Sequence, residues 1–388
     1  MKKVGLYVHV PFCRVKCYYC DFVSYAGRRE EDIRAYLSAL RQEGWLYQQR
    51  YTQKGEDDGN GAIFAQSLYI GGGTPTCLTS GQLSVLFGHL EALFHLPQGI
   101  EITVEANPGT IEREKLKCLK EVGCNRLSLG VQSFSPRELQ VLGRIHRDRE
   151  IYESYETARK TGFTNINLDL MYGLPGQSLA DWRKNLRQAV ALRPEHLSLY
   201  QLNIERETPF ARLVDKGLLE EFEQDTAYAM YREAIAYLEE NGYRHYEISN
   251  FALPGRESLH NQIYWRNEEY LGLGAGAAGF LAGVRYRNTP DINAYIERLA
   301  RGELPLVEEE VINEELSMAE TMFLGLRLRE GVNKEHFREK YGVGLEEKYG
   351  QVLVKLLDRG LLEETPTHIA LSRKGLYVAN LVMQEFLP

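Results

Sequence analysis

The feature that most limits the fold of this chain is an alternation of short β-rich segments with longer segments of helical periodicity. Six β-rich segments occur before about residue 202, at residues 5–10, 67–70, 100–105, 126–131, 165–170 and 196–202. Such an alternation is typical of a parallel sheet built from βα units. We therefore predict an α/β fold whose main part is a partial (β/α)6 TIM-like barrel, open on one side because it has six units rather than eight.

The rest of the chain predicts two further parts. We expect the barrel at residues 1–215, a connecting region at 216–310 and a C-terminal α+β domain at 311–388. The last part shows helical patterns and then two short strands, in an order that resembles a winged helix; the helices are expected at 319–329, 334–341 and 347–359, and the strands at 361–364 and 368–371. Residues 50–61 have the composition of an exposed loop.

Charge and hydropathy exclude some classes of function. The formal net charge is -8, so the winged-helix-like part is expected to have a structural or lid role rather than to bind DNA, and no nucleic-acid partner is expected. No run approaches the roughly 20 apolar residues of a membrane span. The first residues lead directly into Pro11 and Cys13, which leaves no room for a signal peptide, so we expect a cytoplasmic protein.

Three cysteines fall within eight residues of each other, on the loop after the first predicted strand. Cys13, Cys17 and Cys20 form a CxxxCxxC pattern, whereas the remaining cysteines lie far away in the sequence. A structural zinc site needs four protein ligands, and no fourth cysteine is nearby. A 4Fe-4S cubane can instead use three thiolates and leave one iron open to an external ligand. We therefore predict a 4Fe-4S cluster here, with zinc as the weaker alternative.

The cysteine pattern, with an aromatic residue before its last cysteine, resembles the radical S-adenosylmethionine (radical SAM) superfamily. The resemblance implies that S-adenosylmethionine binds the open iron and is cleaved to a 5'-deoxyadenosyl radical. Segments 7–13, 71–76, 130–134 and 173–176 further resemble the oxygen-independent coproporphyrinogen oxidase-like group, over nearly the whole chain. This resemblance implies the following S-adenosylmethionine contacts: Tyr7, Tyr19, Gly72, Gly73, Thr74, Glu105, Gln132, Arg144 and Asp169.

The chain departs from the decarboxylases of that group in two places. Phe22 stands where those enzymes have a further cysteine, and the first strand begins almost at Met1, without their N-terminal extension. Both departures resemble the HemW-like haem chaperone subfamily. The HNxxYW motif at 260–265 agrees, and by this resemblance His260, Tyr264 and Trp265 are haem-binding residues. A buried histidine beside two core aromatics is the structural alternative, and axial ligation by His260 is left open.

Two features follow the HNxxYW motif. The glycine run at 272–276 predicts close backbone packing rather than a dinucleotide site, because the flanking strand, helix and acidic residue of such a site are not evident. Arg285 and Arg287 could pair with the haem propionates, since guanidinium groups bind carboxylates in a bidentate manner.

The resemblance implies a haem chaperone that binds haem and delivers it to acceptor apo-haemoproteins. The cluster would then govern oligomeric state, transfer or both, and we expect a monomer or a cluster-dependent dimer, with transient membrane association left open. The alternative is an oxygen-independent coproporphyrinogen III oxidase that decarboxylates propionates by radical chemistry. A radical enzyme with an unrelated substrate is a third possibility.

Overall fold

A computed structural model of the chain describes residues 2–52, 63–219 and 222–388. The loop predicted at 50–61 lies outside the described residues from residue 53 onward. The first strands are β1 (Lys2–Val10), β2 (Phe12–Cys13), β3 (Tyr25–Ala26), β4 (Ile63–Gly72), β5 (Glu101–Ala106), β6 (Arg126–Gln132), β7 (Ile166–Tyr172) and β8 (His196–Gln201). The helices among them are α1 (Glu30–Thr52), α2 (Ser80–Leu93), α3 (Arg113–Glu121), α4 (Pro136–Val141), α5 (Asp148–Lys160) and α6 (Leu179–Ala191), with α7 (Pro209–Asp215) following β8.

The six predicted strands are all present and lie side by side. They form parallel pairs in the order β1-β4-β5-β6-β7-β8, which confirms the open α/β barrel. Their apolar residues are almost completely buried, because helices cover the outer face of the sheet. The carboxyl ends of these strands therefore meet at one end of the barrel, where their loops converge.

The middle of the chain continues this sheet at both edges. Its helices are α8 (Gln224–Glu240), α9 (Leu259–Trp265) and α10 (Ile292–Ala300), and its strands are β9 (Arg244–Glu247), β10 (Asn250–Ala252), β11 (Tyr270–Leu273), β12 (Ala278–Leu281), β13 (Val284–Asn288) and β14 (Leu306–Val311). β11 pairs in parallel with β1 and is followed outward by β12, β13 and β14, while β10 and β9 lie beyond β8. The division at residues 215 and 310 stays a prediction, although these strands belong to the same sheet as the barrel.

The glycine run serves close packing, as predicted. A Cβ atom at Gly272 would overlap the carbonyl oxygen of Ala278, and one at Gly274 would lie 2.6 Å from the carbonyl oxygen of His9. Gly274 also has a φ of +107°, a conformation that favours glycine. The run therefore lets β11 turn sharply against its neighbours.

The C-terminal part has its own hydrophobic core, formed by residues between Met318 and Phe386. Its elements are α11 (Glu314–Gly325), β15 (Val332–Asn333), α12 (Lys334–Tyr341), α13 (Leu345–Asp358), β16 (Leu362–Glu364), β17 (His368–Leu371), α14 (Arg373–Leu376) and α15 (Ala379–Gln384). The antiparallel β16–β17 hairpin confirms the winged-helix-like prediction. Its first helix begins earlier than expected, because the Asn313 side chain caps the helix by accepting a hydrogen bond from the Leu316 amide. Within the described ranges, no helix is both long and apolar enough to cross a bilayer.

Candidate functional site: a cysteine-lined cavity and a second aromatic cavity

A cavity of about 350 Å³ opens at the carboxyl ends of the barrel strands, within the size range of small-molecule sites. It brings together the predicted cluster ligands and all but one of the predicted S-adenosylmethionine contacts: Cys13, Cys17, Tyr19, Cys20, Gly72, Gly73, Thr74, Glu105, Gln132, Arg144 and Asp169. Tyr7, the exception, lines a different cavity. Sequence positions far apart in the chain thus converge here, although their individual roles stay predictions.

The three cysteines are free thiols, each with a polar neighbour. Cys13 Sγ lies 3.5 Å from Thr74 Oγ1, and Cys20 Sγ lies 3.9 Å from the hydroxyl of Ser24. The short parallel pairing of β2 with β3 closes the loop that carries the second and third cysteines. Three thiols on the wall of one cavity fit the donor chemistry of an iron-sulfur cluster.

Arg144 links two of the strand-end loops to the cysteines. Its guanidinium donates to Cys17 Sγ at 3.4 Å, to the Gly130 carbonyl at 2.6 Å and to Asn107 Oδ1 at 2.5 Å. The Asn107 amide in turn donates to Thr74 Oγ1 at 2.7 Å. Arg144 therefore ties the loop that carries Cys17 to the ends of β5 and β6. Among the described residues, no group of three or more His, Cys, Asp or Glu side chains is arranged to hold a single metal ion.

The glycine-rich turn after β4 packs tightly against its surroundings. Gly72 has a φ of +109°, and a Cβ there would lie 2.5 Å from the His9 ring. A Cβ at Gly73 would lie 2.8 Å from the Phe12 carbonyl oxygen. Glycine is therefore required at both positions, and the backbone of this turn forms part of the cavity wall.

Glu105 is a half-buried residue whose carboxyl group is hydrogen-bonded to the glycine turn. It accepts hydrogen bonds from the Tyr69 hydroxyl at 2.8 Å and from the Gly72 amide at 3.1 Å. Burial, followed by the nearby Asp169 carboxylate, raises the pKa of Glu105 to about 7. Near neutral pH this carboxyl can therefore change its charge, and a bound cation would favour the ionised form.

A polar network holds Asp169, and sequence reasoning missed most of it. Ser128 Oγ donates to Asp169 Oδ2 at 3.0 Å, and Asn167 Nδ2 donates to Oδ1 at 2.7 Å. Burial raises the pKa of Asp169. Ser128 lies two residues before Gly130, and Asn167 lies two residues before Asp169. Polar residues at alternate positions of apolar strands therefore pointed to an inner polar face of the barrel.

Gln132 is the site residue with the most unusual backbone. Its φ of 65° lies in the left-handed region, which is rare for a residue with a long side chain. Such strain is concentrated at functional sites. The strain lies at the end of β6, where the Gln132 side chain lines the cavity.

We predict that the affinity for S-adenosylmethionine depends on pH. Its sulfonium is positively charged, and Glu105 changes its charge near neutral pH. With a pKa of about 7, Glu105 is mostly protonated at low pH and mostly ionised above neutrality. We therefore expect the affinity to rise by about tenfold between about pH 6 and about pH 8. Anaerobic titration calorimetry of cluster-loaded protein measures this change. The Glu105→Gln variant should lose it, and the same pH profile in both proteins would contradict the assignment, since the ligand's own titration is common to both.

The HNxxYW motif lies on α9, which packs against the barrel strand β4. Two oxygens of Glu101 accept hydrogen bonds from the first turn of this helix, from the His260 amide at 3.0 Å and the Leu259 amide at 3.2 Å. His260 itself is only 1% exposed. Its Nδ1 is hydrogen-bonded to Ser67 Oγ and its Nε2 to the Tyr264 hydroxyl, both at 2.8 Å. Burial lowers the pKa of His260 to about 3. Both ring nitrogens are thus occupied within the protein, as the structural alternative for this motif requires.

Tyr264 and Trp265 line a second cavity of about 480 Å³, between the sheet extension and the helices α9 and α11. Tyr7 lines the same cavity, and its ring stacks on Tyr69 with centroids 6.2 Å apart. Tyr69 lines the cysteine cavity. The Tyr7–Tyr69 stack therefore separates the two cavities.

The two arginines proposed to bind propionates are paired with carboxylates. Arg285 lines the second cavity and binds Glu320 at 2.5 Å, with Glu310 at 3.6 Å. Arg287 lies 3.8 Å from Glu308 and is not among the residues that line the cavity. Of the two, only Arg285 is placed to meet a ligand there.

Comparison with known proteins identifies the family of the chain. The Radical SAM superfamily model matches residues 7–189, and the HemN C-terminal domain model matches residues 312–378. A protein named heme chaperone HemW from Bacillus subtilis (strain 168) is 40% identical and is aligned over 98% of both chains. Its namesake from Lactococcus lactis is 39% identical over all of this chain and 98% of its own.

The chain belongs to the HemW family of radical SAM proteins. The HemW of Escherichia coli (strain K12) is 38% identical over 71% of this chain and 70% of its own. Among solved structures, the coproporphyrinogen III oxidase HemN from Escherichia coli, described as a radical SAM enzyme, covers 99% of this chain and 89% of its own with a TM-score of 0.84. At 24% identity that likeness shows a common fold. Membership of the HemW family confirms the resemblance seen in the sequence, and the superfamily implies a 4Fe-4S cluster and S-adenosylmethionine.

Proposed function

We propose that this chain is a haem chaperone that binds haem and delivers it to acceptor haemoproteins in the cytoplasm. The observation that carries the proposal is the full-length identity of about 40% with proteins named heme chaperone HemW. The aromatic cavity beside the HNxxYW motif supports it, because flat rings pack well against a macrocycle. Haem is the cargo, and the acceptor apo-haemoproteins are the partners.

The cysteine cavity is proposed to hold the resident cofactors. Cys13, Cys17 and Cys20 would bind a 4Fe-4S cluster, and S-adenosylmethionine would occupy the adjoining space. When bound, the pair can supply one-electron chemistry at the sulfonium. The chain contributes the backbone of the glycine turn, the charge of Arg144 and the carboxyl of Glu105 to bind and orient these groups.

Titration with haem tests the chaperone proposal directly. We expect the wild-type chain to bind haem in a one-to-one complex and to pass it to an apo-haemoprotein, followed by absorption spectroscopy. Trp265→Leu should bind haem about tenfold more weakly, because it removes an aromatic contact. Trp45→Leu is the matched control, since Trp45 is 45% exposed on α1 and lines neither of the two cavities. A wild-type chain that binds no haem would remove the proposal.

The fold shared with coproporphyrinogen III oxidase favours one alternative, an oxidative decarboxylase. Phe22, at the position where the resemblance places a further cysteine in those enzymes, is 68% exposed and lines the cysteine cavity. Anaerobic incubation with reductant, S-adenosylmethionine and coproporphyrinogen III separates the two functions. Formation of protoporphyrinogen would support the oxidase, whereas haem binding without turnover would support the chaperone.

A further inference from the structure

The side chains that commonly bind haem iron are histidine, cysteine, methionine and tyrosine. Among the described residues that line the second cavity, tyrosine alone represents this set, at Tyr7, Tyr264 and Tyr270. His260 is not among the residues that line this cavity, and both of its ring nitrogens are hydrogen-bonded. An iron ligand from the wall of this cavity would therefore be one of these three tyrosines.

Hydrogen bonding distinguishes the three phenols from each other. The Tyr7 hydroxyl is bonded to His9 Nδ1 at 2.9 Å, and the Tyr264 hydroxyl is bonded to His260 Nε2 at 2.8 Å. Within the described part of the chain, the Tyr270 hydroxyl makes no hydrogen bond, although its ring contacts Tyr264 edge-on at 4.6 Å. It can therefore bind a ligand without breaking an internal bond.

Strand register places a cation on the same face of the sheet as this phenol, two strands away. Tyr270 on β11 lies directly opposite Phe280 on β12, which lies opposite Arg285 on β13. Residues opposite each other in neighbouring strands share one face of a sheet, and all three line the cavity. Burial raises the pKa of Tyr270, whereas the Arg285 charge opposes this effect and Glu320 adds to it. The phenol is thus neutral without a ligand, and the charge of Arg285, which is itself paired with Glu320, offsets part of the effect of burial.

We propose that Tyr270 provides the oxygen that binds the iron of ferric haem in the second cavity, and that His260 is a positioning residue that holds Tyr264 in the cavity wall. This inference rests on the proposed function. With ferric hydroxide haem, the phenol oxygen forms a bond to iron, the iron–hydroxide bond breaks, and the phenol proton joins the departing hydroxide as water. The iron stays ferric, so no oxidant or reductant is needed.

Spectroscopy of the ferric haem complex tests the assignment. We expect the wild-type complex to show the phenolate-to-iron charge-transfer absorption and the iron–phenolate vibrations in resonance Raman spectra. Tyr270→Phe should lose both signatures and bind haem at least about tenfold more weakly. Tyr228→Phe, which removes the hydroxyl of a 42% exposed tyrosine on α8, should match the wild type. Tyr270→His should give an imidazole-type spectrum, which keeps the test valid if Tyr270→Phe fails to fold.

The outcomes separate this inference from the function on which it rests. A wild-type chain that takes up haem with an imidazole-type spectrum, or a Tyr270→Phe variant with the wild-type spectrum, overturns the role of Tyr270 and leaves the chaperone proposal intact. A wild-type chain that takes up no haem overturns both. His260→Gln that keeps the phenolate signature, with weaker binding, supports a positioning role for this histidine.

Discussion

Cys17→Ser protein, purified without air, should contain almost no iron or acid-labile sulfide. Cys17 is one of three thiols on the wall of the cavity, and it accepts a hydrogen bond from Arg144. A serine hydroxyl is not a thiolate ligand, and two remaining thiols cannot hold a cubane whose fourth iron is already open. We expect Cys13→Ser and Cys20→Ser to behave alike, and all three variants to lose S-adenosylmethionine binding. Iron and sulfide analysis with absorption spectroscopy measures the loss.

A cysteine outside the cavity provides the control for this experiment. Cys118 on α3 is hydrogen-bonded to Ser84 and to the Ser80 carbonyl and does not line the cysteine cavity. Cys118→Ser should therefore retain the full cluster. Stoichiometric zinc in the reconstituted wild type, or an iron-sulfur spectrum that survives all three substitutions, would be incompatible with the assigned ligands.

The second large effect is expected at Glu101, which joins the barrel to the HNxxYW helix. Its carboxylate binds the first turn of α9 and lies 4.0 Å from the guanidinium of Arg126, which is itself only 2% exposed. Glu101→Ala removes the acceptor for this helix and leaves Arg126 buried without that counter-charge. We expect the free energy of unfolding to fall by about 3 kcal/mol. Urea denaturation measures the change.

Glu257 is the matched control for Glu101. It pairs at 3.6 Å with Arg244, whose side chain is mostly exposed, so Glu257→Ala should change stability by at most about 0.5 kcal/mol. Equal effects of the two substitutions would mean that Glu101 does not anchor α9. Haem titration of Glu101→Ala should also show weaker binding, because α9 carries Tyr264 and Trp265.

The barrel could be predicted because each of its strands is a run of apolar residues followed by a polar or glycine-bearing loop. The strands between residues 244 and 311 were not predicted. β9, β10 and β12 have only three or four residues each, and their pairing depends on edges that the barrel provides. Short segments of this kind have no period of their own that distinguishes them from loops. Tertiary contacts therefore decided this part of the sheet.

The cysteine cavity could be predicted because its residues follow parallel strands, whose carboxyl ends must meet. The haem-related motif was harder to interpret, because a histidine, a tyrosine and a tryptophan within six residues fit either a ligand site or a buried cluster. In the structure, one residue of the motif belongs to a buried cluster and another lines a cavity. His260 is bonded to Ser67 on β4, a partner distant in sequence that no local pattern indicates, whereas Trp265 reaches the cavity.

The stacked rings of Tyr7 and Tyr69 form a wall that the two cavities share. If haem occupies the second cavity and S-adenosylmethionine the cysteine cavity, as proposed above, the two do not compete for space and can bind in either order. Tyr69 nevertheless connects the two sides of this wall. Its hydroxyl donates a hydrogen bond to Glu105 on one side, and its ring stacks on the His260 ring, with centroids 5.1 Å apart, on the other. A haem chaperone built in this way would hold haem and S-adenosylmethionine at the same time.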